Sequence, residues 1–215
     1  MASNFIYKHS SVRFVLFFSF FFWNIFLLTA QSYSSEPTQT TLTIEGNTHK
    51  GYKTYFEYES AKVTRAFWQY AKTFAHLENH KSYYLVEIPP KDPAVEQPMI
   101  LFGQPTAQGS TTFFTLAIDL SATEGESATY LKQVKNLLME FKVDVYMKDF
   151  QSQINQLSKE AKKLSKAHQA ALKKGKLFSE ESAVILSRLQ SIEKQIGQYR
   201  SQQIVLLSAL KKVKG

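Results

Sequence analysis

Ile185–Val213 reads ILSRLQSIEKQIGQYRSQQIVLLSALKKV, and within it Ile185, Leu189, Ile192, Ile196, Tyr199, Leu206, Leu210 and Val213 recur at four-three spacing, interrupted only by Gln203. Residues so spaced fall on one narrow stripe of a helix, the seam by which helices pair. A stripe this narrow leaves no room for a catalytic cleft and predicts a protein that pairs helices. The mate lies upstream in the same chain, where Met147, Phe150, Ile154, Leu157, Ala161, Leu164 and His168 repeat the spacing. Between the stripes, Lys174-Gly175-Lys176 places a glycine where a left-handed helix end is expected, and Ser179 with Glu180 and Glu181 gives the next helix a cap and an acidic first turn. Reversal about residues 176–177 pairs Leu164 with Leu189, Ala161 with Ile192, Leu157 with Ile196, Ile154 with Tyr199, Phe150 with Gln203 and Met147 with Leu206.

The first of these helices is expected from about Glu126 to Lys174, a rod of roughly 70 Å. Its N-terminal half is apolar on more than one side (Leu131, Val134, Leu137, Leu138, Met139, Phe141, Val143, Val145), which suits docking onto a sheet. The strands precede it. Leu42 and Ile44 alternate with threonines, Gly46-Asn47 and Gly51 bracket a connection, and in Tyr52–Glu59 the residues Tyr52, Thr54, Phe56 and Tyr58 face one side while Lys53, Tyr55, Glu57 and Glu59 face the other. Ser60 is placed to cap a helix running to about Leu77 along Val63, Phe67, Tyr70, Phe74 and Leu77. After a turn at His76–Lys81 come strands at Ser82–Ile88, Met99–Phe102 and Thr111–Leu120, the first two separated by a connection containing Pro89, Pro90, Pro93 and Pro98. The expected fold class is α+β: a small antiparallel sheet in the order β-β-α-β-β-β, covered by helices and followed by a long antiparallel helical hairpin forming a coiled coil.

At the other end of the chain, Lys8 and Arg13 precede Phe14–Ala30 (FVLFFSFFFWNIFLLTA), a run with no acidic residue. This predicts an export signal over residues 1–32, cleaved near Ala30-Gln31-Ser32, with a retained membrane anchor as the alternative. Residues 33–39 read as a flexible leader, 40–125 as the α+β domain and 126–215 as the long helix and hairpin. The expected location is periplasmic or secreted, with membrane attachment only if the N-terminal segment is retained.

The chain has no cysteine, which excludes disulfides and thiolate chemistry. Its formal charge is +8, and subtracting Lys8 and Arg13 leaves +6. A basic exported protein meets anionic lipid, acidic polysaccharide or acidic protein, whereas nucleic acid is not an expected partner outside the cytoplasm. The charge concentrates on the long helix: Lys159, Lys162, Lys163, Lys166, Lys173, Lys174 and Lys176 are accompanied by Glu160 alone. These lysines are the candidate interaction surface.

Catalytic and metal signals are weak. No G-x-S-x-G, phosphate-binding glycine loop or H-E-x-x-H motif is present, so no enzyme and no cofactor are expected. His76 and His80 have the spacing of two zinc ligands on a helix, but no third ligand accompanies them and no metal site is expected. His168 sits in the seam near the hairpin tip. Tyr55 and one of Tyr83 and Tyr84 are expected on the open face of the sheet, where a small-ligand groove could form.

The run Val63-Thr64-Arg65-Ala66-Phe67-Trp68-Gln69-Tyr70-Ala71-Lys72-Thr73-Phe74, followed by Tyr83-Tyr84, the Phe113–Leu120 strand and the Lys/Gln/Ile-rich tail, resembles a group of uncharacterised exported proteins of gram-negative bacteria. In those a small α+β module precedes a helical coil, and the resemblance implies that architecture alone. A looser similarity is to periplasmic chaperones of the Skp/OmpH kind, which are exported, basic and built with helical-hairpin arms. There the strands enclose the hairpin, whereas here all of them precede it. The expected function is a non-enzymatic exported envelope protein whose arm serves self-association or docks a protein partner or an anionic envelope component. The alternatives are a holdase-like chaperone and, third, a small-ligand receptor or enzyme using the open sheet face.

Overall fold

A computed structural model describes residues 33–90, 97–121, 127–173 and 179–215. The proposed signal or anchor, Pro93, and Lys174 and Lys176 lie outside the described residues. Six strands form one open antiparallel sheet: β1 (Thr38–Ile44), β2 (Asn47–Phe56), β3 (His76–Asn79), β4 (Tyr84–Ile88), β5 (Met99–Gln108) and β6 (Thr111–Ile118), in the spatial order β1-β2-β6-β5-β4-β3. Helix α1 (Ser60–Ala71) and the N-terminal half of α2 (Ser127–Lys173) cover one face, and α3 (Ser179–Lys214) returns antiparallel along α2. The expected α+β class with a helical hairpin is the fold found.

The sheet gains one strand over the expected order. Helix α1 stops at Ala71 instead of running to Leu77, and His76–Asn79, expected as a helix end and turn, pairs with β4 through Leu77 opposite Val86. Two causes act at the helix end. Backbone bonds from Thr73 to Tyr70 and from Phe74 to Ala71 tighten the last turn, and the Thr73 hydroxyl donates to the Tyr70 carbonyl at 2.7 Å. At the other end Ser60 is the first helical residue and Glu59 holds the cap position, its carbonyl accepting from the Lys62 and Val63 amides.

Glycines shape the sheet. The β1–β2 hairpin turns through Glu45 and Gly46, both at positive φ (51° and 86°), the two-residue geometry that matches strand twist. Gly51 was expected to border that connection but lies inside β2, where a Cβ would come 2.2 Å from the Leu116 carbonyl oxygen and 2.5 Å from the Ala117 Cα. Backbone cannot yield as a side chain can. Gly51→Ala should therefore lower stability by about 3 kcal/mol, the upper end of ordinary overpacking costs, read as a drop in urea midpoint.

On the helix side of the sheet, Phe56, Val86, Leu101, Phe114, Leu116 and Ile118 meet Val63, Phe67 and Ala71 of α1 and Val134, Leu138, Phe141 and Val145 of α2. Phe141 is the hub, its ring centroid 5.2 Å from Phe56, 5.2 Å from Phe67, 5.6 Å from Tyr70 and 5.3 Å from Phe114. The opposite face carries a smaller cluster of Leu42, Ile44, Tyr83, Phe102 and Ala117. No helix covers it. The sheet curls instead, until the β3–β4 turn at one edge reaches the β1–β2 turn at the other and the Tyr83 hydroxyl donates to Glu45 at 2.9 Å.

Residues 33–37 are not the flexible leader expected from their polar composition. Tyr33 is 3% exposed, its ring 5.6 Å from Phe150 and 5.8 Å from Tyr146. Glu36 bridges the two helices, pairing with Lys135 of α2 at 3.0 Å and Lys212 of α3 at 3.1 Å. The segment straps the base of the hairpin to the domain, because one aromatic ring and one carboxylate find partners on both helices.

Lys142 is fully buried beneath this strap, donating from Nζ to the Ser35 carbonyl and hydroxyl, each at 3.1 Å. Burial holds its ammonium down at about 8, from the ordinary 10.5, against an opposing pull from Glu57. Between those two values the unfolded chain binds the proton more tightly, so stability rises with pH there, by at most about 3 kcal/mol. Burial also raises the hydroxyls of Tyr58, Tyr70 and Tyr146, whose contribution is present below pH 10 and lost above it. Urea midpoints should climb from pH 8 towards pH 10 and then fall. Lys142→Met should flatten the climb and spare the fall.

Candidate functional site: a lysine face on the helical arm

Helix α2 is 47 residues long, about 70 Å, and its last buried residues are Phe150 and Ile154. Beyond Ile154 it leaves the domain, and among the described elements α3 is its companion. There Leu157, Ala161, Leu164 and His168 are half-buried, as are Ile185, Leu189, Ile196 and Tyr199 of α3, while Ile192 and Leu206 are fully buried. Met147 is half-buried at the base. Residues of both stripes thus lose exposure along the hairpin, and Phe150 and Tyr199 meet directly.

Their register differs from the expected one. Phe150 packs at a tilt against Tyr199, with centroids 5.8 Å apart, instead of opposing Gln203; Glu160 receives Arg188 at 2.7 Å; and His168 bonds the Ser182 hydroxyl at 2.9 Å. The shift is close to one helical turn. A slip of one turn leaves the same residues on the seam, so a four-three stripe alone does not select between the two pairings. Phe150 is therefore packed by two rings, Tyr33 and Tyr199, in place of the expected Gln203.

At about 100° per residue, Lys159, Lys162, Lys163, Lys166 and Lys173 fall within about a third of the circumference of α2, directly opposite the arc holding Leu157, Ala161, Leu164 and His168. All five lysines are exposed. They extend over about 21 Å of straight helix. Glu160, the acid in this stretch, lies off that arc and is engaged by Arg188. Packing of the seam thus aims an acid-free basic face away from α3, and it does so without any lysine contacting the core.

The other candidates separate from this face. His76 and His80 lie on and just beyond an edge strand, where their Nε2 atoms approach the two oxygens of Glu78 at 3.7 and 3.3 Å. A strand spreads such residues along its length, and among the described residues no group of three or more His, Asp or Glu is arranged to hold a metal ion. Tyr55 packs edge-on against Phe113 at 5.5 Å on the uncovered face, and Tyr83 rather than Tyr84 shares that face. Tyr83 is turned inward against Phe102 at 5.7 Å and stacked on His80 at 4.8 Å. Lys142 was missed in the sequence, although a lysine amid Leu138, Met139, Phe141, Val143 and Val145 was the signal that could have found it.

No helix among the described residues is long and apolar enough to cross a membrane. No protein-family model, curated protein or solved structure matches this chain.

Proposed function

We propose that this chain is a non-enzymatic exported protein whose α+β domain holds a rigid two-helix arm, and that the lysine face of the arm docks an anionic partner of the envelope. The observation that carries the reading is the one-sided placement of Lys159, Lys162, Lys163, Lys166 and Lys173, opposite the seam and clear of acids. Each lysine brought against an anionic surface contributes about 1 kcal/mol, so the face as a whole supplies a few kcal/mol, diminishing with salt. Rigidity supports the same reading, because a preformed helical rod loses little backbone freedom on binding. Export rests on the apolar Phe14–Ala30 run behind Lys8 and Arg13.

A rod with one basic side encloses nothing, so docking is preferred to the sheltering of unfolded clients by a holdase. The uncovered sheet face is a poor small-ligand groove, because Tyr83 and Phe102 are packed on each other there.

The test combines Lys159→Glu, Lys162→Glu, Lys163→Glu and Lys166→Glu in one protein. All four side chains are exposed, so helicity by circular dichroism should be unchanged. Binding to vesicles of anionic lipid or to a soluble acidic polysaccharide should fall at least about 100-fold, by the contribution per lysine given above. Wild-type binding to neither probe, or binding that the variant retains, contradicts the proposal.

A further inference from the structure

Helix α3 carries a second four-three stripe that its seam does not use. Leu186, Gly197, Ile204 and Leu207 lie on it, turned roughly a third of a revolution from Ile192 and Leu206. Ile204 is 66% exposed, Leu207 48% and Leu186 47%, and at Gly197 a Cβ would meet nothing within 4 Å. Helix α3 packs principally on α2, and the exposure of these residues shows that the stripe faces solvent. Large apolar residues beside an open glycine make a knob and a hole on one surface.

The stripe is complementary to itself. In an antiparallel pairing of two α3 helices with the two-fold axis at the level of Gln202, Leu207 of one copy enters the space over Gly197 of the other. Ile204 then lies under the aliphatic stem of Arg200, and Glu193 meets Lys211, each contact occurring twice. Glu193 and Lys211 are both exposed and at opposite ends of the paired residues, which is the charge arrangement an antiparallel self-pairing needs and a parallel one would oppose. We infer that the outer stripe of α3 is a homodimer interface and that its occupant is a second copy of this chain. The pairing of residues 193–211 is about 27 Å long. A strip one helix wide, about 10 Å, and of that length covers about 270 Å², well short of the roughly 800 Å² per partner of a stable dimer, so the association is weak and concentration-dependent. The two arms point in opposite directions, placing one lysine face at each end. The inference does not depend on what those faces bind.

Sedimentation equilibrium of the full chain in density-matched mild detergent tests it. The wild type should show a reversible monomer–dimer equilibrium, and Ile204→Glu, a change at an exposed position, should weaken it at least about tenfold with unchanged helicity. Glu193→Lys and Lys211→Glu should each weaken it about fivefold, and the two together should restore it. A monomer at every concentration, association that I204E leaves intact through the N-terminal segment or another face, or a charge-swapped double variant that does not recover overturns the inference. None of these substitutions touches the lysine face, so vesicle binding by I204E separates failure here from failure of the docking reading.

Discussion

Phe141→Ala is expected to lower the free energy of unfolding by about 3–5 kcal/mol, enough to leave the α+β domain marginal. The ring is 1% exposed and sits among Phe56, Phe67, Tyr70 and Phe114, so it joins two strands and both covering helices at one point. Truncation removes the transfer free energy of the ring and leaves a cavity walled by four other rings, which have little freedom to collapse into it. Because α2 continues from this contact into the arm, weakening it also loosens the seat of the hairpin. Urea unfolding followed by tryptophan fluorescence should show the loss as a shifted midpoint. A loss below about 1.5 kcal/mol would mean that the site relaxes as a liquid would, contrary to the packing described.

Ile192→Asp should open the arm while leaving the domain folded. Ile192 is fully buried at the middle of the seam, and among the described residues no second layer supports the two helices beyond Ile154. A carboxylate there must either remain charged in an apolar contact or take up a proton, and either course costs several kcal/mol. The distal hairpin has little else to offset that cost, since its remaining seam residues are only half-buried. Circular dichroism should lose a share of its helical signal at low temperature, and amides of residues 155–173 and 181–200 should exchange rapidly while β5 and β6 stay protected. Full helicity would contradict the pairing of these stripes.

Much of the fold was readable because period and composition agree locally. The four-three stripes of α2 and α3 and the alternating runs of β2, β4 and β6 each point to one element type, and packing then has no reason to override them. What was not readable depended on contacts across the chain. The strand at His76–Asn79 exists because β4 offers it an edge, and its short sequence continues the helical stripe of α1 just as well. Gly51 reads locally as a turn residue, and its role becomes visible only when the β6 backbone lies against it. Tyr33 and Glu36 sit in a polar stretch whose order comes from Phe150, Lys135 and Lys212, all more than ninety residues away in sequence. The lysine face was legible as composition and as helical spacing. Its direction relative to α3 followed from the seam, while the seam's own register did not, because a slip of one turn preserves the stripe. The outer stripe of α3 was overlooked since Glu193 and Arg200 interrupt its apolar residues.

The docking proposal is tested most directly by how the affinity for a linear polyanion changes with salt as lysines are removed from the arm one at a time. Neutralising Lys159, Lys162, Lys163 and Lys166 in turn with glutamine should reduce the slope of log affinity against log salt by about 0.7 at each step, because each lysine that contacts the polymer releases its own counterion. Exchanging Lys194 of α3 for glutamine, which lies off this face, should leave the slope as it was. A slope that stays constant through the four arm substitutions, or that responds equally to Lys194, would contradict docking through this face.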